Sequence, residues 1–290
     1  MDLGLIEKIK RMAIVAMVSD DYLMEQLVLK GGNAIDLVYQ ISGRASMDID
    51  FSMQSDFDKH KIDSLKATIE NLLIKTYQQE RLVAFDVKLT QHPQRIGKTN
   101  DMEFWGGYVI EFKVIPIDLH AKYSDNIKSL QQNSIIIGPR NRRIFRIEIS
   151  KYEYCTGKVA KEIDGYTVYV YTTEMIILEK IRSICQQQPE YRDIVKSHPP
   201  VARARDFFDI YTIMQTFPID LNSERTKELL KAFFSSKKVP VSLIHKVASQ
   251  REFHRADYPS LRDTVKSGVD LKDFDYYFDY VVDMLNSIDI

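Results

Sequence analysis

The N-terminal region has its apolar residues at spacings of three and four positions. Leu5, Ile6, Ile9, Met12, Ala13 and Ala16 form one apolar stripe. This spacing predicts that the first thirty residues are helical. The pattern then changes to the short apolar run 27–29, which predicts a strand that Gly31 and Gly32 stop. Asn33 is expected to cap a helix over 34–40, and Gly43 to end it.

Further alternation follows in the N-terminal half. Residues 48–53 alternate polar and apolar side chains, as a half-buried strand does. A polar helix is predicted over 59–79, and strands over 82–89, 108–119 and 144–149, which alternate or are rich in β-branched residues.

From Thr172 onward the pattern is helical almost to the end of the chain. Helices are predicted near 173–187, 200–216, 222–235, 240–250 and 271–287, and prolines fall between them. The fold class that follows is α+β, with a mixed or antiparallel sheet. We expect a sheet lobe over residues 1–170, a helical lobe over 171–290, and a cleft between the two.

Composition restricts the class of protein. Of 290 residues, 44% are hydrophobic and 28% are charged, which is typical of a globular protein. No run approaches the roughly 18 apolar residues of a membrane span, so we expect a cytoplasmic protein without membrane contact. The net charge of −1 means that any nucleic-acid contact must be a local patch. Cys155 and Cys185 lack disulfide or zinc spacing and are expected to be buried.

Asp48 and Asp50 are the first candidate for chemistry. Residues two apart on a strand face the same side, so the two carboxylates would project together while Ile49 and Phe51 enter the core. Oxygen ligands of this kind suit Mg²⁺ or Mn²⁺, and Mg²⁺ is often held by one or two carboxylates plus substrate phosphates. Alone, such a pair is more often the wet face of an edge strand.

The residues before this strand strengthen the prediction. Gly31 and Gly32 precede a helix, whose first backbone N–H groups and positive dipole end can hold a triphosphate. Arg44 and Ser46 add a cation and a hydroxyl where the phosphates would lie.

Together, the segment KGGNAIDLVYQISGRASMDIDFS resembles the AbiEii family of nucleotidyltransferase toxins, whose motif combines a glycine pair, a helix and Arg-x-Ser-x-Asp-hydrophobic-Asp-Phe. The segments TEMIILEKIR at 173–182 and RDFFDIY at 205–211 resemble two further family motifs. The resemblance spans residues 27 to 215. It implies that Lys180 contacts the nucleotide phosphates and that Asp206 lies at the active centre with Asp209 nearby.

A third carboxylate is usual in the superfamily that this family belongs to, and two residues compete for it. Glu148 lies on a predicted strand just before the helical half, although the family's usual residue there is aspartate. Asp118 is the shorter acid. We favour Glu148 as a ligand and catalytic residue beside Asp48 and Asp50. If neither serves, a single Mg²⁺ held by Asp48 and Asp50 is expected.

The resemblance implies an enzyme that moves a nucleoside monophosphate from an NTP to an acceptor hydroxyl. The acceptor would be RNA, such as the 3′ end of tRNA, Asp206 could activate it, and an antitoxin protein would restrain the enzyme. Three alternatives stay open: a small-molecule acceptor such as an aminoglycoside, a protein acceptor, or a module that binds nucleotide or RNA without turnover.

Two basic groups are candidates for the acceptor side. Residues 138–146 contain Arg140, Arg142, Arg143 and Arg146, with Phe145 available for stacking, although a solvated hairpin turn has the same composition. The second group consists of Lys237, Lys238, Arg251, His254 and Arg255. His120 and His198 have no partners at ligand spacing and are expected to be structural.

Overall fold

The structure is a computed structural model that describes residues 3–41, 43–92, 104–138, 141–196 and 199–290. Helices α1 (Leu3–Val18) and α2 (Asp21–Gln26) open the chain. The predicted apolar stripe of α1 is buried, with Ile9, Ala13 and Ala16 fully excluded from solvent. It packs against α4 (Lys59–Gln78).

A seven-stranded mixed sheet is the centre of the fold. Its strands are β1 (Val28–Lys30), β2 (Ile49–Ser52), β3 (Leu82–His92), β4 (Gly107–Pro116), β5 (Phe145–Ser150), β6 (Val159–Ile163) and β7 (Tyr166–Val170). They are ordered β3-β4-β5-β2-β1-β7-β6. The pairs β2/β5 and β1/β7 are parallel and the others antiparallel, which confirms the predicted α+β class.

Three local predictions are wrong. The helix after β1 begins at Gly31, as α3 (Gly31–Asn33), and continues as the π-helical segment Ala34–Val38. Asn33 is therefore inside the helix, and its side-chain amide donates to the Asp48 carbonyl at 2.5 Å instead of capping. The helical segment ends before Gln40, whose φ of 56° breaks it, and not at Gly43.

The third error concerns the predicted strand 108–119. β4 ends at Pro116, which has no backbone N–H to donate, and α5 (Ile117–Lys122) follows. Asp118 is consequently on a helix. The hairpin of β6 and β7 was missed, because three consecutive exposed residues in β6 hide the alternation of a strand.

The helical half begins with α7 (Thr173–Cys185), which Thr172 caps by accepting from the Met175 N–H. Short elements absent from the prediction are α6 (Ile127–Asn133), α8 (Pro189–Arg192), α11 (Arg251–Arg255) and α12 (Tyr258–Arg262). The larger ones are α9 (Ala204–Thr216), α10 (Glu224–Ser236), a 3₁₀ segment (Val241–Gln250) and α13 (Phe274–Asn286). A lobe boundary near residue 170 stays a prediction.

The main hydrophobic core is continuous between the two halves. It includes Phe51 and Ile147 of the sheet together with Phe207, Phe233 and Phe278 of the helices. Both cysteines are free and buried, as predicted. Within the described ranges, no helix is long and apolar enough to cross a membrane.

A buried cluster of five charges also joins the halves. Glu153, just after β5, pairs with Arg182 of α7 at 2.9 Å and with Lys237 after α10 at 3.5 Å, and Lys30 at the end of β1 pairs with Glu179 at 3.3 Å. We call these five residues the basal cluster. Burial raises the pKa of Glu153, but Arg182, Lys237 and Lys30 outweigh that effect and lower its pKa to about 2. Glu153 therefore stays ionised, which compensates the buried cations.

Candidate active site

Two strands bring the predicted carboxylates together. Asp50 of β2 is in register with Glu148 on the neighbouring parallel strand β5. Asp48 lies in the bend before β2, not in the strand as expected. Ile49 and Phe51 are buried, which confirms the predicted alternation of this segment. We call Asp48, Asp50 and Glu148 the acidic trio.

The structure separates the two competitors for the third carboxylate. The Asp118 side chain is 80% exposed, pairs with Arg81 at 3.0 Å and does not line the cleft that contains the acidic trio. Glu148 instead lines the same cleft as Asp48 and Asp50. The position of Glu148 opposite Asp50 therefore favours Glu148 for the role.

Arginines neutralise two members of the trio. Arg142 contacts Asp48 at 2.6 Å, and Arg146 pairs with Glu148 at 3.0 Å. Asp50 has no comparable side-chain partner among the described residues. Burial raises its pKa to about 7; Lys30 opposes this rise, while Glu148 and Asp48 add to it. The negative charge at Asp50 is thus the least compensated in the trio.

The oxygen atoms of the trio are the kind of donor that a divalent cation prefers. Its members are hard oxygen donors, and Asp50, whose pKa is raised chiefly by burial, lies beside the Glu148 and Asp48 carboxylates, which raise that pKa further. Within the described part of the chain, no group of three or more His, Cys, Asp or Glu side chains already surrounds a single point. The chemistry fits a cation, although Asp48 and Glu148 are turned toward their arginines.

The glycine pair lies in direct contact with this site. Gly31 has a φ of +65°, and a Cβ added there would be 2.8 Å from the Asp50 Oδ2. A Cβ at Gly32 would be 2.6 Å from the Ser46 Cβ. Only glycine lets the start of α3 approach Asp50 and Ser46 so closely. The Ser46 hydroxyl itself donates to the Asp48 carbonyl at 3.3 Å.

A second charged group adjoins the trio, consisting of Arg44, Lys180, Asp206 and Asp209. Lys180 of α7 contacts Asp206 and Asp209 of α9, at 2.7 Å each, and Arg44 forms a bidentate pair with Asp209 at 2.8 and 2.6 Å. We call these four residues the bridging cluster, because they connect the loop before β2 to two helices of the C-terminal half.

Burial shapes the acid–base properties of the bridging cluster. Burial lowers the pKa of Lys180, but Asp206 and Asp209 outweigh it and raise the pKa, so Lys180 stays charged. Burial raises the pKa of Asp206, but Lys180 and Arg203 reverse this and hold the pKa well below its usual range. Asp206 is therefore a weak base. Arg44 and Lys180, the two cations expected to contact phosphates, are both paired with carboxylates in this structure, and their contact with phosphates stays a prediction.

The acidic trio, the glycine pair and most of the bridging cluster line one cleft of about 720 Å³. Asp209 is the predicted site residue that does not line it. The sequence prediction missed several lining residues, among them Lys30, Trp105, Glu153, Glu179 and Arg182. One signal was available: Glu179, Lys180 and Arg182 are charged residues in the otherwise apolar stretch of α7, and such residues are rarely buried unless paired.

Both predicted basic groups are partly wrong. Phe145 is buried and stacks on Phe112, so it is not available to a nucleic acid. Arg140 lies outside the described residues. His254 is completely buried, and this burial is the main reason that its pKa falls to about 4. Lys237 belongs to the basal cluster. The second group is therefore not one basic surface.

The two histidines without predicted partners differ in outcome. His120 is half-buried and contacts the Phe85 ring edge at a centroid distance of 6.3 Å, which fits the structural role expected of it. His198 lies outside the described residues.

Comparison with known proteins identifies the class. The profile of nucleotidyl transferase AbiEii toxins, from type IV toxin–antitoxin systems, matches residues 13–280. The chain therefore belongs to the AbiEii family of nucleotidyltransferase toxins, as its motifs predicted. No curated protein matches it.

Solved structures provide comparisons of fold. JHP933 from Helicobacter pylori is 15% identical with a TM-score of 0.50, covering 99% of this chain and 91% of that one. An antigenic nucleotidyltransferase-like protein from Paracoccidioides brasiliensis is 16% identical with a TM-score of 0.37, covering 79% and 93%. At such identities the similarity to JHP933 supports the fold alone.

The contact between Gly31 and Asp50 generates a prediction with a matched control. Gly31→Ala should cost about 1–2 kcal/mol of stability through its left-handed backbone, and should also displace the Asp50 carboxylate. Gly165→Ala has the same backbone strain, at a φ of +82°, but nothing lies within 4 Å of the added Cβ. Chemical denaturation should show that both variants lose a similar free energy of unfolding, with an added loss in Gly31→Ala from the clash with Asp50. Nucleotidyl transfer should fall only in Gly31→Ala, and equal transfer in both variants would contradict the assigned contact.

Proposed function

We propose that this protein is a Mg²⁺-dependent enzyme that transfers a nucleoside monophosphate from an NTP to a hydroxyl of RNA, such as the 3′ end of tRNA. The observation that carries the proposal is that the acidic trio and the glycine pair adjoin each other in one cleft. We further propose that it acts in the cytoplasm and that a cognate antitoxin restrains it, as the family's type IV systems suggest.

Each part of the cleft suits one part of the reaction. Asp48, Asp50 and Glu148 would hold Mg²⁺, which would supply charge neutralisation for the triphosphate. The N–H groups at the start of α3 would be available to phosphate oxygens, and the Ser46 side chain adjoins Gly32. Lys180, which lines the cleft and stays charged, adds an attractive field for the same phosphates.

The chemical step is a displacement at phosphorus. The acceptor oxygen bonds to the α-phosphorus, the bond from this phosphorus to the bridging oxygen breaks, and pyrophosphate leaves with the electron pair. The hydroxyl proton must pass to a base. The depressed pKa of Asp206 and its contact with Lys180 suit it better to positioning Lys180 than to taking this proton.

An RNA acceptor is favoured by the cations around the cleft. Arg146, Arg203 and Arg205 line it in addition to the residues that would bind the triphosphate. Arginines suit the phosphates of a nucleic-acid backbone. A small-molecule or protein acceptor has no phosphate backbone that would need these arginines. Both acceptors are alternative outcomes of the test.

Transfer can be measured directly. Purified protein is incubated with Mg²⁺, total RNA and each NTP labelled at the α-phosphate, beside Asp48→Ala, Glu148→Gln and the matched control Asp118→Asn. Label should enter RNA with the unchanged protein and with Asp118→Asn, and should fall by about 100-fold or more in the other two, the size of loss seen for other key charge-stabilising groups. Label in protein or small molecules would contradict the RNA acceptor. No transfer with any NTP would contradict enzymatic activity.

Metal dependence has a readout that needs no turnover. Asp50→Asn removes the least compensated charge, so at pH 8 without metal it should raise the free energy of unfolding, on the order of 1–3 kcal/mol. Mg²⁺ with a nonhydrolysable NTP analogue should stabilise the unchanged protein and have little effect on Asp50→Asn. Thermal denaturation with and without Mg²⁺ tests this. Equal stabilisation of both proteins would remove Asp50 from the metal site.

A further inference from the structure

The only tryptophan of the chain, Trp105, lies at the cleft that contains the acidic trio. It lies two residues before the first residue of β4 and is half-buried. Large aromatic rings are the usual platforms on which proteins stack nucleobases. Which substrate Trp105 would contact depends on the direction in which the nucleotide would be transferred.

The order of the strands places Trp105 relative to the glycine pair. Crossing the sheet from the glycine pair, β1 comes first, then β2 with Asp50, β5 with Glu148, and finally β4. Val109 of β4 is opposite Glu148, and Trp105 is four residues before it. With strands about 4.8 Å apart, the start of β4 lies roughly 14 Å from β1 across the acidic trio. Trp105 and the glycine pair are thus on opposite sides of the carboxylates.

The Trp105 ring also lies near a fixed cation. The Lys237 ammonium lies 5.5 Å from the ring centroid. Lys237 is fixed in turn, because it donates to the carbonyls of Phe104 and Lys151 and pairs with Glu153. An anchored cation near the ring restrains its orientation, and a restrained ring loses less entropy on stacking.

The geometry of in-line displacement then indicates which substrate lies beside Trp105. The leaving pyrophosphate and the attacking oxygen must be on opposite sides of the α-phosphorus. If the triphosphate lies at Gly31 and Gly32, the acceptor must approach from the β4 side. On this basis, which rests on the proposed nucleotidyl transfer, we propose that Trp105 stacks on the nucleobase of the acceptor's terminal nucleotide. The cleft is also lined by Arg146, Arg203 and Arg205, which pair with Glu148, Asp206 and Asp257.

Because Trp105 is the only tryptophan, its fluorescence reports the contact without labelling. A short single-stranded oligoribonucleotide should quench the emission, whereas the same oligonucleotide with an abasic 3′-terminal nucleotide should not. Mg²⁺ with an NTP, in the absence of RNA, should also leave it nearly unchanged. Quenching by the abasic oligonucleotide, quenching by the NTP alone, or no quenching by any RNA would overturn the assignment.

Variants supply a second readout. Trp105→Leu should raise the acceptor KM about 5- to 150-fold, the effect of losing one base–aromatic stack, and leave the NTP KM unchanged. Trp105→Phe should restore part of the loss. The matched control is Tyr166→Leu, because Tyr166 is an exposed aromatic of β7 that does not line the cleft. An unchanged acceptor KM in Trp105→Leu, or an equal rise in Tyr166→Leu, would overturn the proposal.

Asp48→Ala separates this inference from the proposed function. It should abolish transfer but keep the quenching of Trp105 by the oligoribonucleotide. If no nucleoside monophosphate is transferred to RNA while base-dependent quenching persists, the proposed function fails and the RNA-stacking contact survives. If RNA is labelled at the normal rate and KM in Trp105→Leu, only the stacking inference fails.

Discussion

Buried ion pairs between the two halves of the chain are the interactions on which the site depends. Arg44, from the loop before β2, pairs with Asp209 of α9, and Asp209 also contacts Lys180 of α7. A buried charge without a partner is strongly unfavourable, so none of these groups can be moved alone without a large cost. Since Arg44 and the Ser46 that contacts Gly32 share one loop, the helices restrain the wall of the cleft that would receive phosphates.

The acidic trio differs from the bridging cluster, because one of its carboxyl groups lacks an ion-pair partner among the described residues. Asp48 and Glu148 pair with arginines, whereas Asp50 has no such pair in the described ranges and burial raises its pKa to about 7. Ionising such a buried carboxyl reduces the stability of the protein, and a bound cation would offset that cost. The bridging cluster thus contributes order, and in the proposed function the trio contributes the affinity for a cation.

The sequence predicted the parts of this site that depend on local spacing. Alternation located Asp50 and the buried Phe51, family motifs located Lys180, and strand context favoured Glu148 over Asp118. It could not predict ion pairs between distant residues, because the partner of a charge is set by tertiary packing. Glu153 and Lys237 illustrate this: nothing near either residue in the sequence indicates that both are buried against each other.

The central claim, that the bridging cluster is one energetically coupled unit holding the cleft, is tested most directly by a double-mutant cycle on Arg44 and Asp209. Free energies of unfolding would be measured for Arg44→Ala, Asp209→Ala and the double variant, with the exposed pair Arg81 and Asp118 as the control cycle. The coupling should be about 1–3 kcal/mol for the buried pair and less than about 1 kcal/mol for the control pair. Additive losses at Arg44 and Asp209 would contradict this claim.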